Sequence, residues 1–176
     1  MKKSNTNSSA DVAFLDFQKA FDKVSHNILL KKLTALNITG KTLLWISNWL
    51  ENRKQRVCLE GAYSDWKAVT SGVPQGSVLG PTLFVCFIND IDENISCRIT
   101  KFADDTKLLA CPLETLSGLD LQTNLNKIFE WSETNMMCFN TSKSKIMHVG
   151  RKNPQKTYNM INIALTKTSL EKYLGL

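Results

Sequence analysis

Apolar and polar positions follow two different periods along this chain, and together they predict a mixed α+β fold. Residues 11–17 form a nearly continuous apolar run of strand length, which is typical of a strand covered on both faces. Residues 114–133 carry apolar side chains at helical spacing and form the longest helical pattern. The predicted elements, in chain order, are a strand at 11–17, a helix from an N-cap at Ser25 to near 37, a helix ending at 51–53, a hairpin of 55–60 and 65–70, a helix from Pro81 to about 90, a hairpin of 98–103 and 106–110, a helix at 114–133, and short strands near 136–139, 145–149 and 161–164.

The same pattern shows no internal repeat and no stretch with the composition of a domain linker. Residues 1–10 are polar and are predicted to be a disordered N-terminal segment. Residues 11–176 are predicted to form one α+β unit, with an antiparallel sheet backed by helices.

Composition and charge narrow the class of protein. Hydrophobic residues make up 43% of the chain and charged residues 22%, which excludes a disordered or low-complexity protein. The net charge of +6 suits a polyanionic partner, although many basic domains bind none. The five cysteines include no C-x-x-C pair, which disfavours a zinc site or a disulfide framework and favours a reduced, intracellular setting.

No targeting or membrane segment is predicted. The N-terminus has two lysines but lacks the apolar core of a signal peptide. The longest apolar stretch, residues 78–91, is interrupted by Gly, Pro, Asn and Asp and is too short to span a bilayer. We therefore expect an intracellular protein with no membrane partner, and the sequence does not distinguish nucleus from cytoplasm.

Asp16 ends the first predicted strand, at the point where that strand leaves the core. Burying an ionised carboxylate without a partner costs several kcal/mol. A salt bridge, a bound metal ion or a strand end that reaches solvent would each accommodate it, and the exposed strand end is the commonest case for a lone Asp. Asp16 alone leaves these three alternatives open.

Asp104 and Asp105 separate two short strands, and considered alone they are ordinary turn residues. A hairpin lying beside the first strand would bring them near Asp16 and concentrate about three negative charges. Two Mg²⁺ ions, about 3.5–4 Å apart, neutralise such clusters in polymerases and nucleases and support in-line phosphoryl transfer. The three aspartates together therefore predict a site for two Mg²⁺ ions, which Mn²⁺ can replace.

Five segments make the chain resemble the palm of a reverse transcriptase of the non-LTR (LINE-like) retrotransposon class. They occur in the family's order and cover nearly the whole chain from residue 12 onward. The segments are FLDFQKAFDKVSH at 14–26, SGVPQGSVLGPTLF at 71–84, FADD at 102–105, FNTSKSK at 139–145 and YLGL at 173–176. The most specific of these is the combination of GVPQGSVLGP with FADD downstream.

The resemblance implies roles for individual residues. It implies that Asp16, Asp104 and Asp105 are the catalytic, metal-holding carboxylates. Lys143 matches a lysine near the leaving pyrophosphate, and its alternative is a solvated lysine beside Lys145. The implied nucleotide-binding positions are Phe17, Ala20, Phe21, Pro74, Gln75 and Gly76.

Two of these positions have a stated physical role. Phe21 falls where the family places a bulky ring beneath the incoming sugar, and a flat apolar group there would clash with a ribose 2′-OH. Gln75 lies in a turn whose glycines allow the backbone to approach a nucleotide closely. The alternatives are an ordinary core phenylalanine and an ordinary loop.

The implied reaction is RNA-directed DNA synthesis. A primer 3′-OH attacks the α-phosphate of a deoxynucleoside triphosphate, and positioning and charge neutralisation supply most of the acceleration. The implied partners are an RNA template, a DNA primer and deoxynucleoside triphosphates.

The chain departs from the family in its extent. A full reverse transcriptase of this class carries fingers before the first aspartate and a thumb after YLGL, so we expect an incomplete palm with weak or no stand-alone activity. Missing fingers, thumb or other retroelement regions are expected partners. The alternatives are a non-catalytic remnant or nucleic-acid-binding protein, and a different two-metal enzyme such as a nuclease or phosphatase.

Overall fold

A computed structural model describes residues 9–110 and 121–170. These residues form two compact units: a sheet unit, made by the chain up to residue 18 and from 91 onward, and a helical unit, residues 19–90. The elements, numbered in chain order, are β1 (Ala10–Leu15), α1 (Ala20–Lys23), α2 (His26–Ala35), α3 (Gly40–Leu50), β2 (Lys54–Gln55), β3 (Cys58–Leu59), β4 (Ala62–Tyr63), β5 (Lys67–Ala68), α4 (Leu79–Phe87), a 3₁₀ turn (Asn89–Asp92), β6 (Arg98–Phe102), β7 (Asp105–Ala110), α5 (Leu121–Thr134), β8 (Lys145–Val149), β9 (Asn159–Met160), β10 (Ile163–Ala164) and β11 (Thr166–Lys167).

The sheet unit is built on five strands in the order β11-β8-β1-β7-β6. β1 lies in the centre and pairs antiparallel with both β7 and β8. Ala13 and Leu15 on one face of β1 are buried, whereas Val12 and Phe14 on the other face are half-buried. Helix α5 buries Leu125 on its apolar face and contacts β7. The predicted antiparallel sheet with a helix against it is therefore confirmed in this unit.

The helical unit packs α2 against both α3 and α4. Leu29 and Leu33 of α2 and Phe84 of α4 are fully buried. The Lys32 ammonium donates to the Phe87 carbonyl at 2.8 Å and to the Asp90 carboxylate at 2.6 Å, which ties α2 to the end of α4. Between these helices the chain makes the predicted antiparallel hairpin, as two short strand pairs, β2–β5 and β3–β4.

Three predicted boundaries differ from the structure. The strand near 136–139 is reduced to one bridge between Phe139 and Phe17, because Met136 takes a left-handed conformation (φ 56°) that ends α5. The turn of the second hairpin lies at Ala103 and Asp104, so Asp105 already belongs to β7. Residues 114–120 of the long predicted helix lie outside the described residues, as does the YLGL segment.

No helix among the described residues has the length and apolar character needed to cross a membrane.

A buried polar cluster fixes β1 beside β8. The Asp11 carboxylate is fully buried, and its register partner on β8 is His148. Asp11 Oδ1 lies 2.7 Å from His148 Nδ1 and accepts a hydrogen bond of 2.7 Å from the Asn153 amide, while Oδ2 accepts one of 2.6 Å from the Tyr158 hydroxyl. Since a buried carboxylate is costly without partners, this cluster stabilises only the arrangement that keeps all of them in place.

We expect Tyr158→Phe to destabilise the fold by about 1.5–3 kcal/mol, because it leaves a buried carboxylate oxygen without its donor. Urea denaturation followed by circular dichroism measures the loss. Tyr63→Phe, at a tyrosine that is 59% exposed, is the matched control and should change stability little. Equal denaturation midpoints for the two variants would contradict a stabilising role for the cluster.

Candidate functional site

Two of the three predicted aspartates lie opposite each other at the end of the central strands. β1 pairs with β7 so that Leu15 faces Thr106. One residue further along this register, Asp16 stands opposite Asp105. Because both positions follow residues that point into the core, the strand alternation turns both toward the half-buried face of the sheet.

The Asp16 carboxyl is partly buried and only loosely paired. Its side chain is 26% exposed, and Lys143 Nζ lies 3.7 Å from Oδ2, within ion-pair range but too far for a hydrogen bond. Oδ2 is itself buried without a hydrogen-bond partner in the described part of the chain. Burial raises the pKa of Asp16 above its ordinary value of 3.8, with the charge of Asp104 adding to the rise and Lys143 and Asn140 opposing it.

A turn at residues 140–144 holds Lys143 in this place. The Asn140 N–H donates to the Asp16 carbonyl at 2.7 Å, and the Asp16 N–H donates to Ser144 Oγ at 3.3 Å. Ser144 Oγ in turn donates to the Asn140 carbonyl at 2.9 Å. Asn140 and Ser144 therefore clamp the backbone of Asp16 from both sides, a role that residue-level reasoning missed although both lie in the FNTSKSK segment.

The donor set fits a divalent cation, although the described residues contain no cluster of three or more His, Cys, Asp or Glu side chains close enough to hold one. Asp16 has a buried oxygen without a partner, and the nearby Asp104 charge makes ionisation of Asp16 more costly. A cation between these carboxylates would remove both penalties. Without one, like charges repel, and the side chain of Asp16 has Lys143 as its counter-ion.

Phe17 and Ala20, two of the predicted nucleotide-binding positions, have buried side chains, each 3% exposed. The Phe17 ring stacks on Phe139 with a centroid distance of 4.3 Å and lies 6.3 Å from Trp131. These side chains belong to the hydrophobic core, so a nucleotide could meet these two positions only through their backbone.

The PQG loop is fastened to α1 and the residues that follow it by backbone hydrogen bonds. The Val73 N–H donates to the Phe21 carbonyl and the Gly72 N–H to the Val24 carbonyl, both at 2.8 Å. The Ser71 hydroxyl donates to the Asp22 carbonyl, also at 2.8 Å. The structure thus brings the loop that carries Pro74, Gln75 and Gly76 against the segment that carries Phe21.

Two glycines make this approach feasible. Gly72 has φ of 91°, and a Cβ added there would lie 2.8 Å from the backbone of Asp22. A Cβ at Gly80 would lie 2.4 Å from the Pro74 carbonyl oxygen. A larger residue at either position must displace backbone, so both glycines are required by close packing, and at Gly72 also by conformation.

Phe21 and Gln75 remain accessible within this arrangement. The Phe21 ring stacks on Phe84 with centroids 4.6 Å apart and is half-buried, while Gln75 and Gly76 are exposed. Phe21 and the PQG loop belong to the helical unit, whereas the aspartates and Lys143 belong to the sheet unit.

A polar cleft of about 610 Å³ adjoins the PQG loop within the helical unit. Three cationic side chains and one carboxylate contribute to its lining, together with amides and hydroxyls. The charged lining residues are Lys19, Lys23, Arg53 and Asp22. Arg53 Nη1 is enclosed without a hydrogen-bond partner within the described ranges. The cleft is therefore suited to an anionic group.

Comparison with known proteins connects these features. The sequence model of the family described as "Reverse transcriptase (RNA-dependent DNA polymerase)" matches residues 2–176. The RNA-directed DNA polymerase from mobile element jockey of Drosophila melanogaster is 37% identical over 141 residues, which are 74% of this chain and 15% of that protein. The jockey polymerase of Drosophila funebris is 33% identical and aligns with 94% of this chain and 19% of its own length.

Solved structures show the same fold at low sequence identity. Apo telomerase from Candida tropicalis superimposes with a TM-score of 0.61 and 14% identity, covering 94% of this chain and 35% of the telomerase chain. The same enzyme with a fragment of telomeric RNA gives a TM-score of 0.60 and 13% identity, covering 88% of this chain and 28% of that chain. The α+β polymerase palm predicted from the sequence is confirmed.

The raised pKa of Asp16 predicts a specific effect on stability. Above pH 3.8 the folded chain holds its proton more tightly than the unfolded chain does, so ionisation at higher pH costs folding free energy. We expect Asp16→Asn to raise the melting temperature at pH 7 in EDTA, with a difference that shrinks below pH 4. The lost contact with the exposed Lys143 contributes little. Asp92→Asn, at an exposed ion pair, is the control, and a lower midpoint for Asp16→Asn would contradict this interpretation.

Gly72→Ala should destabilise the chain by more than about 1 kcal/mol, because it adds a backbone clash to a left-handed conformation. Gly61→Ala is the matched control, since Gly61 has a similar φ of 84° and nothing within 4 Å of its Cβ position. Chemical denaturation of both variants separates the two effects. Equal losses would show that conformation alone matters and that the close approach does not.

Proposed function

The chain belongs to the reverse transcriptase family, and from that premise we propose that it carries the nucleotidyl-transfer centre of an RNA-directed DNA polymerase of a non-LTR retrotransposon. The reaction joins a deoxynucleotide to a primer 3′-OH and releases pyrophosphate. The chain spans about 15–20% of the length of the polymerases quoted above, so activity, substrates and partners are proposed for the domain.

One observation carries the proposal. Asp16 stands opposite Asp105 in strand register, with Asp104 close enough to raise its pKa and a buried carboxylate oxygen without a partner. A structural aspartate would have a hydrogen-bond donor at that oxygen, as Asp11 has. An arrangement that is unfavourable by itself is typical of a site that is completed by its ligand.

We assign the carboxylates of Asp16, Asp104 and Asp105 as the ligands of two Mg²⁺ ions, which Mn²⁺ can replace. When bound, the ions would lower the pKa of the primer hydroxyl and neutralise charge on the phosphates. The carboxylates orient these groups and withdraw them from bulk water. Lys143, which lies 3.7 Å from Asp16 and is largely exposed, can reach the leaving pyrophosphate as a positive charge or a proton donor.

Substrate selection is assigned to the helical unit. The Phe21 ring, held flat by its stack on Phe84, is the surface against which a 2′-OH would be unfavourable. Gln75 and its neighbours in the PQG loop support the nucleotide and the template base. Because the loop is hydrogen-bonded to the backbone of Phe21, sugar and base are examined by one connected piece of backbone. The remaining partners are an RNA template, a DNA primer and deoxynucleoside triphosphates.

Primer extension on poly(rA)/oligo(dT) with Mg²⁺ tests the proposal. We expect Asp16→Asn and Asp104→Asn each to lower incorporation by at least about 100-fold, because each removes a charge that the transition state requires. Asp92→Asn, whose carboxylate pairs with Lys101, should retain the wild-type rate. Mg²⁺ should also raise the melting temperature of the wild-type chain and leave that of Asp16→Asn unchanged.

Other outcomes would favour the alternatives. Incorporation that persists unchanged in either aspartate variant would refute the metal site. Metal-dependent hydrolysis of the nucleic acid without incorporation would favour a nuclease. Binding of nucleic acid without incorporation or metal-dependent stabilisation would favour a non-catalytic remnant.

A further inference from the structure

Residues 53–69, which we call the aromatic ribbon, form an exposed β-hairpin in the helical unit. Every residue from Lys54 to Ala68 is exposed. The ribbon carries large apolar side chains that pack into no core, namely Val57 (68% exposed), Leu59 (72%), Tyr63 (59%) and Trp66 (59%). Such a surface is unusual on a segment with no burial of its own, and it indicates a binding role.

An irregular register gathers the aromatic rings. Lys54 pairs with Ala68 and Gln55 with Lys67, whereas further out Cys58 pairs with Tyr63. Two residues bridge the gap on one strand and three bridge it on the other, so the ribbon contains a bulge. In a regular strand Tyr63 and Trp66, three residues apart, would point to opposite faces. The extra residue allows both to meet the same partner.

That partner is Arg56. Its guanidinium carbon lies 3.9 Å from the centre of the Tyr63 ring and 4.6 Å from the centre of the Trp66 ring. Cation–π contacts at these distances are favourable and hold three flat groups together at the surface. Since both rings are still more than half exposed, part of each remains available for a further stacking partner.

The charge of the ribbon indicates the class of that partner. It has four cationic residues, Arg53, Lys54, Arg56 and Lys67, against two acidic ones, Glu60 and Asp65. The base of the ribbon, at Arg53 and Gln55, opens into the cationic cleft beside the PQG loop. A phosphate backbone is complementary to this charge, and unstacked bases are complementary to the exposed rings.

We propose that the aromatic ribbon binds single-stranded nucleic acid, with bases stacked on Tyr63 and Trp66 and phosphates near Arg56 and the cationic base of the ribbon. A duplex would not use the rings, because its bases are already stacked on each other. Identification of the strand as the unpaired template rests on the proposed function; the binding itself rests on the exposed rings and the charge.

Fluorescence anisotropy with a labelled oligo(rA) single strand tests this proposal on the full chain, without nucleotides. We expect Trp66→Ala to weaken binding about ten-fold, because one base–ring stack is lost. Trp66→Phe should restore most of the affinity. Trp45→Ala is the matched control, since Trp45 is 55% exposed on α3, away from the ribbon, and it should bind like the wild type.

The charged partner has its own test. Arg56→Lys keeps the charge and loses the flat guanidinium, whereas Arg56→Gln loses both. We expect both variants to weaken binding, and only Arg56→Gln to make the affinity less dependent on salt. A duplex of the same length should bind with an affinity that Trp66→Ala does not change.

Two results would overturn the proposal. The first is equal affinity of wild type, Trp66→Ala and Trp45→Ala for the single strand. The second is self-association of the chain that Trp66→Ala abolishes while strand binding is unaffected, which would make the ribbon a protein interface. The proposed function is separable from this inference. If Asp16→Asn leaves extension unchanged while Trp66→Ala weakens binding, the catalytic proposal fails and the ribbon stands. The reverse pattern refutes the ribbon alone.

Discussion

Antiparallel pairing of β1 with β7 is the constraint on which the candidate catalytic centre depends. It is this register that sets Asp16 opposite Asp105, and a slip of one residue would turn one of them to the other face of the sheet. The register is held by the apolar face of β1 and, at the other end of the strand, by the hydrogen-bonded carboxylate of Asp11. Two acidic residues on one strand thus have opposite roles: one is fully satisfied and structural, and the other is left unsatisfied where a ligand is expected.

Much of this sheet could be predicted because its signals are local. The apolar run at 11–17 and the polar pair at 104–105 identify a central strand and a hairpin without reference to the rest of the chain. Their proximity needs one further assumption, that the hairpin lies beside the strand, and the structure confirms it. Family resemblance supplied the same pairing independently, from short motifs rather than from periodicity.

Other features depend on contacts that no local pattern encodes. Phe17 stacks on Phe139, a residue more than a hundred positions away, so nothing in its neighbours reveals that its ring is buried. The bonds between the PQG loop and α1 join backbone groups, and only the presence of Gly72 betrays them in the sequence. Turn boundaries also escaped prediction, because Ala103 and Met136 adopt left-handed conformations that their residue types rarely take.

The uneven strand lengths of the aromatic ribbon make its geometry a matter of counting. Removing one residue between Tyr63 and Trp66 would leave every aromatic and cationic side chain in the chain, yet it would restore a regular alternation that separates the two rings. Composition, charge and even pairwise identity would barely change. Among related chains, the trait to compare at this surface is therefore the spacing from tyrosine to tryptophan, and an insertion or deletion there is a larger change than most substitutions.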